Sequence, residues 1–156
     1  MKNINLQLYD GLKEEIRDSK SKIIILKEGD IIRFTIDEVK TLMTILQNDP
    51  GYLRGTLVIA KEVNKSTAAL AVLGNIKEIY ADMISEHAVK LLDYYHIKFK
   101  YRQTIPFFES KTKAEGFDPI ELLAIPCEYP TEIYVKLDGL FSKSPSDIKG
   151  WSKIFR

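Results

Sequence analysis

The chain holds one cysteine in 156 residues. That excludes an internal disulfide framework and any zinc site built from paired cysteines. An excess of one charge is also missing: Lys plus Arg number 23, Asp plus Glu 22, and the net charge is +1. A chain so balanced has no global field drawing it to nucleic acid or anionic lipid, so neither is expected as a partner. Long apolar runs are absent as well. The longest nearly uncharged stretch, Ser66 to Ile76, falls far short of the about 20 residues a membrane span needs. Met1 to Asp10 lacks a basic region followed by an apolar run and a small-residue cleavage site. With no export signal and a lone thiol, the expected location is the cytosol.

What is present suits one folded domain. Hydrophobic residues make up 45% and charged residues 29%, an ordinary globular balance. This length buries about two-thirds of the surface that the unfolded chain exposes. Leu8, Leu12 and Ile16 recur at intervals that predict a helix from Asn5 to about Asp18. Lys22 to Leu26 and Ile31 to Thr35 are β-branched runs joined by Lys27-Glu28-Gly29-Asp30, which predicts a hairpin. Asp37 opens a helix to about Gln47, with Val39, Leu42, Met43 and Leu46 as its apolar stripe. Thr56 to Val63 is a strand. Ser66 to Leu73 is a short helix, apolar nearly all round, and such a helix must be buried. Ile76 to Ala81, a Ser85-capped helix to about Tyr95, and Ile97 to Gln103 follow. Strand, helix, strand, helix, strand at this spacing predicts two βαβ crossovers and parallel strands.

Beyond Pro106 the pattern weakens. Glu109 to Glu115 reads as a charged loop, and Pro119 sits well in the first turn of a short helix. Thr131 to Leu137 reads as a strand. The predicted division is a domain over residues 1–123 and a C-terminal extension over 124–156, in which Trp151 is a candidate anchor.

Helix, hairpin, helix, then strand-helix-strand-helix-strand is the element order of the cytidine deaminase-like fold. Val63-Asn64-Lys65-Ser66-Thr67-Ala68-Ala69, Ile79-Tyr80-Ala81, Ile84-Ser85-Glu86 and His96-Ile97 resemble the DUF1893 family of proteins of unknown function. Ile105-Pro106 and Asp118-Pro119-Ile120-Glu121 extend the likeness, which covers roughly residues 20 to 122. The family carries a Gly-Lys-Ala-Ala-Ala-like start to the buried helix, a Ser-Glu helix opening and a Cys-Pro-x-Glu segment. Here Asn64 stands at the glycine, Ser66 and Thr67 replace alanines, and Asp118 stands at the cysteine; Lys65 is kept. The resemblance implies a three-layer α/β/α cytidine deaminase-like fold, with an antiparallel hairpin edge and parallel strands. It implies no reaction.

The zinc chemistry which that fold would suggest first lacks its ligands. A zinc deaminase needs a His or Cys with a nearby Glu on one core helix and Cys-x-x-Cys on the next. Asp37 to Gln47 contains no His or Cys, and Asn64 to Thr67 no Cys. Cys127 falls outside the core elements. No metal and no cofactor are expected.

The strongest candidate is Asn64, Lys65, Ser66 and Thr67, between a parallel strand and a helix start. Ligands of open parallel sheets bind there, and free N–H groups attract anions. The plainer reading has Asn64 or Ser66 capping the helix and Lys65 in water. Ser85 and Glu86 stand at the corresponding end of the next strand, beside the titratable His87; they also suit an ordinary first turn. Asp118 and Glu121, three apart, would share a helix face as acid and base, or simply form a solvated helix start. Lys98, Lys100 and Arg102 alternate on one strand face and read as guards of an exposed edge rather than a phosphate stripe. Tyr94-Tyr95 and Phe107-Phe108 read as core and rim rather than as a base-stacking platform.

Three functions fit. One is a domain that binds a small anionic ligand, a nucleotide or phosphorylated metabolite, through Asn64, Lys65, Ser66, Thr67, Ser85, Glu86, Asp118 and Glu121. Another is a metal-independent enzyme using Lys65, Asp118, Glu121 or His87. The third is a protein-interaction module, with homo-oligomers left open.

Overall fold

A computed structural model describes residues 6–109, 116 and 118–141. Six helices and five strands lie within them. They are α1 (Leu6–Asp18), β1 (Ile23–Lys27), β2 (Asp30–Phe34), α2 (Glu38–Asn48), β3 (Leu57–Val63) and α3 (Lys65–Leu73). After these come β4 (Glu78–Ser85), α4 (Glu86–Tyr94), β5 (Lys98–Ile105), α5 (Pro119–Ala124) and α6 (Pro130–Phe141). Trp151 and most of the charged loop, from Ser110 to Glu115, lie outside the described residues.

The strands form one mixed sheet in the order β2-β1-β3-β4-β5. β1 runs antiparallel to both neighbours, while β3, β4 and β5 are parallel. The β1–β2 turn is Glu28-Gly29, with φ of 51° and 88°. Two successive positive φ angles match the right-handed twist of the flanking strands, and glycine adopts them without cost.

Strand alternation sorts the core into two faces. Ile24, Ile59 and Tyr80 point to one face, where Tyr9, Leu12 and Ile16 of α1 cover them. The buried stripe of α1 thus begins at Tyr9, and Leu8 is exposed. Tyr9 fits the i, i+3, i+7 line, and its ring meets Tyr80 edge-on at 6.1 Å. Ile23, Ile25, Val58, Ala60, Ile79 and Ala81 point the other way and pack with α2, α3, α4 and α6 in the larger cluster.

α3 lies at the centre of that cluster. Ser66 to Ala71 are all buried, and the helix touches α2, α4, α5 and α6 besides β3. A helix apolar on every side has found a neighbour on every side. It stops against Leu53: a Cβ on Gly74 would lie 2.8 Å from Leu53 Cδ1, so glycine is required by proximity.

Two expectations for the C-terminal part change. Thr131 to Leu137 is not a strand; it belongs to α6, whose Ile133, Leu137 and Phe141 are buried. Spacing of four places them on one helical face, and α3 supplies the apolar partner. Cys127 is not peripheral: it is buried within the larger cluster.

Glu38 is the costly residue of this core. It is 6% exposed, and its Oε2 accepts from Glu62 N at 2.7 Å, tying the start of α2 to the end of β3. Loss of solvent, then repulsion from Asp37, raises its pKa from 4.5 to about 7. A raised carboxyl contributes stability at low pH that is lost as pH climbs through the folded-state value.

Two outcomes are expected. Leu70→Ala should lower unfolding free energy by about 2–5 kcal/mol, read by urea denaturation; an unchanged midpoint would displace α3 from the centre. Glu38→Gln keeps an acceptor for Glu62 N without the charge. It should stabilise the protein by about 1–3 kcal/mol at pH 8.5, with the gain shrinking towards pH 5. A gain independent of pH would show that the ionised carboxylate is not the cost.

Candidate functional site

α3 and α4 both begin where a parallel strand ends. Asn64 caps α3, its Oδ1 accepting from Thr67 N at 2.8 Å and from Thr67 Oγ1 at 3.0 Å. Ser85 caps α4, its Oγ accepting from Ala88 N at 3.2 Å. These are the plainer roles that short polar side chains take at helix starts.

The anion expected at these helix starts is supplied by the chain itself. Glu121, in the first turn of α5, is 0% exposed. Its Oε2 accepts from Lys65 N at 2.7 Å and from Ser85 Oγ at 3.1 Å. Its Oε1 accepts from Phe108 N at 3.3 Å. One carboxylate therefore joins the starts of α3 and α4 to the segment after β5. Positive helix ends and converging donors favour a negative charge there.

Lys65 makes two separate attachments. Its N–H serves Glu121, while its Nζ donates to Ile125 O at 2.9 Å and Cys127 O at 2.8 Å. It thus holds down the connector between α5 and α6. Loss of solvent lowers the lysine pKa, against the opposing pull of Cys127, Glu121 and Glu132. Ser66 Oγ reinforces the attachment by donating to Ile120 O at 2.9 Å.

Asn64, Lys65, Ser66, Thr67, Ser85 and Glu121 are thus brought together. Asp118 is close in sequence but acts elsewhere, as the cap of α5, where it accepts from Ile120 N at 3.3 Å. Glu86 is exposed in the first turn of α4. Among the described residues, no three His, Cys, Asp or Glu side chains are grouped to hold a metal ion, and no helix is long and apolar enough to cross a membrane.

On the outer side of Lys65 a cavity of about 310 Å³ opens, lined among others by His87, Lys90, Tyr94, Glu128 and Tyr129. Its two walls are α4 and the connector that Lys65 holds. Tyr94 and Tyr95 meet edge-on at 5.0 Å. Loss of solvent raises the Tyr95 pKa, helped by Tyr94, Tyr129 and Glu128, so these groups converge. The alternating cations of β5 do not converge. Lys98 pairs with Glu78 at 3.4 Å and Arg102 with Asp82 at 2.6 Å, both carboxylates on the neighbouring strand β4.

Against known proteins, the model of a domain of unknown function, DUF1893, matches residues 11–140. The chain belongs to the DUF1893 family. It is similar to the crystal structure of the DUF1893 family protein TM1506 from Thermotoga maritima, at 25% identity and a TM-score of 0.75. The likeness covers 88% of this chain and 92% of that one. A search of curated proteins finds no match. The DUF1893 match extends past the stretch legible as a resemblance and takes in α6, which packs on α3.

Lys90, Tyr94, Tyr95, Glu128 and Tyr129 were not among the residues the sequence marked as a site in this DUF1893 chain. A signal existed on α4. His87, Lys90, Leu91 and Tyr94 follow i, i+3, i+4, i+7, which places a cation and an aromatic ring along one helical face. The connector carried no such periodicity.

Glu121→Ala leaves three donors without their acceptor. It should cost at least about 2 kcal/mol of unfolding free energy, with Glu121→Gln in between because the amide keeps one acceptor. Equal urea midpoints for all three proteins would remove Glu121 as the tie between these elements.

Proposed function

We propose that this DUF1893 protein is a cytidine deaminase-like domain, in three layers and without zinc chemistry, that binds a small anionic ligand. The element order supports the architecture: helix, hairpin, helix, then two parallel crossovers. α2 begins with Asp37-Glu38 and α3 with Asn64 to Thr67, so neither carries the His or Cys that zinc hydrolysis of a base requires.

The observation that carries the ligand reading is the lining of the cavity outside Lys65. Lys65, His87 and Lys90 stand around one opening with a single carboxylate, Glu128. The helix starts that would otherwise attract an anion are occupied by Glu121. Asn64, Ser66, Thr67, Ser85 and Glu121 then act as the frame that fixes Lys65, and the ligand meets Lys65 from outside. Acid–base work by Glu121 is disfavoured, because both its oxygens already accept from the protein. The ligand is a nucleotide or a phosphorylated metabolite, since phosphate is the anion that paired cations hold best.

A second reading has its own observation. Leu122 is 51%, Val135 68% and Leu140 41% exposed. Apolar side chains left on α5 and α6 suit a protein-interaction module, and partner-dependent burial of Val135 would favour it.

The test is calorimetry of the full chain with inorganic phosphate, pyrophosphate and sugar phosphates. Lys90→Ala should weaken a bound phosphate by about 1.5–3 kcal/mol, while Lys98→Ala, whose lysine pairs with Glu78 on the sheet, should change nothing. Equal effects of the two variants would overturn the assignment of the cavity.

A further inference from the structure

The cavity separates its chemistry. His87 and Lys90 stand on the earlier turns of α4, and Tyr94 stands on the last. Opposite them the connector presents Glu128 and Tyr129. The imidazole and the lysine therefore stand towards one end of the α4 wall and the tyrosine towards the other.

The aromatic groups are not spent on the fold. Tyr94 is 74% exposed and Tyr129 53% exposed. Tyr94 meets Tyr95 edge to face, at 77° between the planes, and still keeps most of its surface exposed. Large apolar surface left beside a concavity is informative where a scattered exposed residue is not. A planar ligand gains stacking energy on such rings whichever base it carries.

Glu128 adds polarity of the opposite sign to the lysines. A carboxylate only accepts hydrogen bonds, so it repels phosphate and suits an N–H donor. A ligand that satisfies all the walls has phosphate at one end and a flat ring bearing N–H at the other. Size limits it further. About 310 Å³ lies at the low end of the about 300–1,000 Å³ range of ligand pockets, which favours a small ligand.

We propose that the ligand of this cavity is a nucleoside monophosphate, its phosphate held by Lys90 and His87 beside Lys65, its base against Tyr129 and Tyr94, with Glu128 accepting from an N–H of the base. This inference rests on the reading that the cavity binds an anion, and it adds the ring and the polarity of its edge.

Calorimetry on the full chain separates the two layers. The probes are AMP, GMP, CMP and UMP, with ribose 5-phosphate as the ring-free control and adenosine as the phosphate-free one. At least one mononucleotide should bind about tenfold more tightly than ribose 5-phosphate, the usual scale of one stacked base. Tyr129→Ala should remove that advantage and leave ribose 5-phosphate binding unchanged. Tyr94→Ala is the second variant, in case the first alters the connector; equal melting temperatures qualify either. Glu128→Gln should reduce the preference among bases without loss of ribose 5-phosphate affinity. If ribose 5-phosphate binds as tightly as every mononucleotide, the ring is refuted while the anion site stands. If neither nucleotides, ribose 5-phosphate nor phosphate binds, both readings fall together. Tight binding of adenosine, unaffected by Lys90→Ala, would also overturn the proposal, because the phosphate would then contribute nothing.

Discussion

The buried carboxylate of Glu121 is the constraint on which the C-terminal end of the sheet depends. Open parallel sheets leave a crevice beyond the carboxyl ends of their strands, and helix starts around it carry partial positive charge. In this chain α5 folds into that crevice and brings its own anion. Two helix starts and the segment after β5 are thereby fixed to one side chain. The geometry that gives many α/β proteins a ligand site is used here for cohesion, and the open space is displaced to the outer side of Lys65.

Magnitudes separate this tie from the charges at the sheet edge. Hydrogen bonds to an ionised, shielded group are worth about 1.5–3 kcal/mol each. An exposed ion pair such as that of Lys98 is worth about 0–1 kcal/mol, whereas Arg102 meets the buried Asp82 through two nitrogens. The Lys98 pair therefore does little to hold the fold. Glu38 is a second buried carboxyl, at the start of α2. It receives one main-chain donor from Glu62 and lies near the charge of Asp37, so burial dominates and its carboxyl resists ionisation.

Much of this was legible in the residues. Ala68 to Leu73 gave α3 an apolar surface on every side, which has one physical outcome: burial. The β-branched runs about Glu28-Gly29 gave the hairpin, and the spacing of the next strands and helices gave the parallel order. α6 was not legible, because Ile133, Val135 and Leu137 alternate as a strand does, while Ile133, Leu137 and Phe141 repeat as a helix does. Only the presence of α3 as a partner decides between the two periods. The candidate site was half legible. Lys65, Ser85 and Glu121 were marked by their types and positions, yet the pairing of Lys65 with a residue 56 positions away is a property of the folded chain. Sequence shows that a helix start wants an anion; it does not show that the anion is already inside.

Cys127 belongs to the connector that Lys65 fastens and turns its side chain inward, with Sγ donating to Leu123 O at 3.6 Å and its carbonyl taking the lysine. A thiol shut away in this manner meets oxidants or alkylating reagents only when its cover lifts. Since the chain has no second cysteine, every modification event counts one such lifting. The protein thus carries an internal clock for the motion of the wall that borders its cavity, a wall fastened by the Lys65 ammonium group.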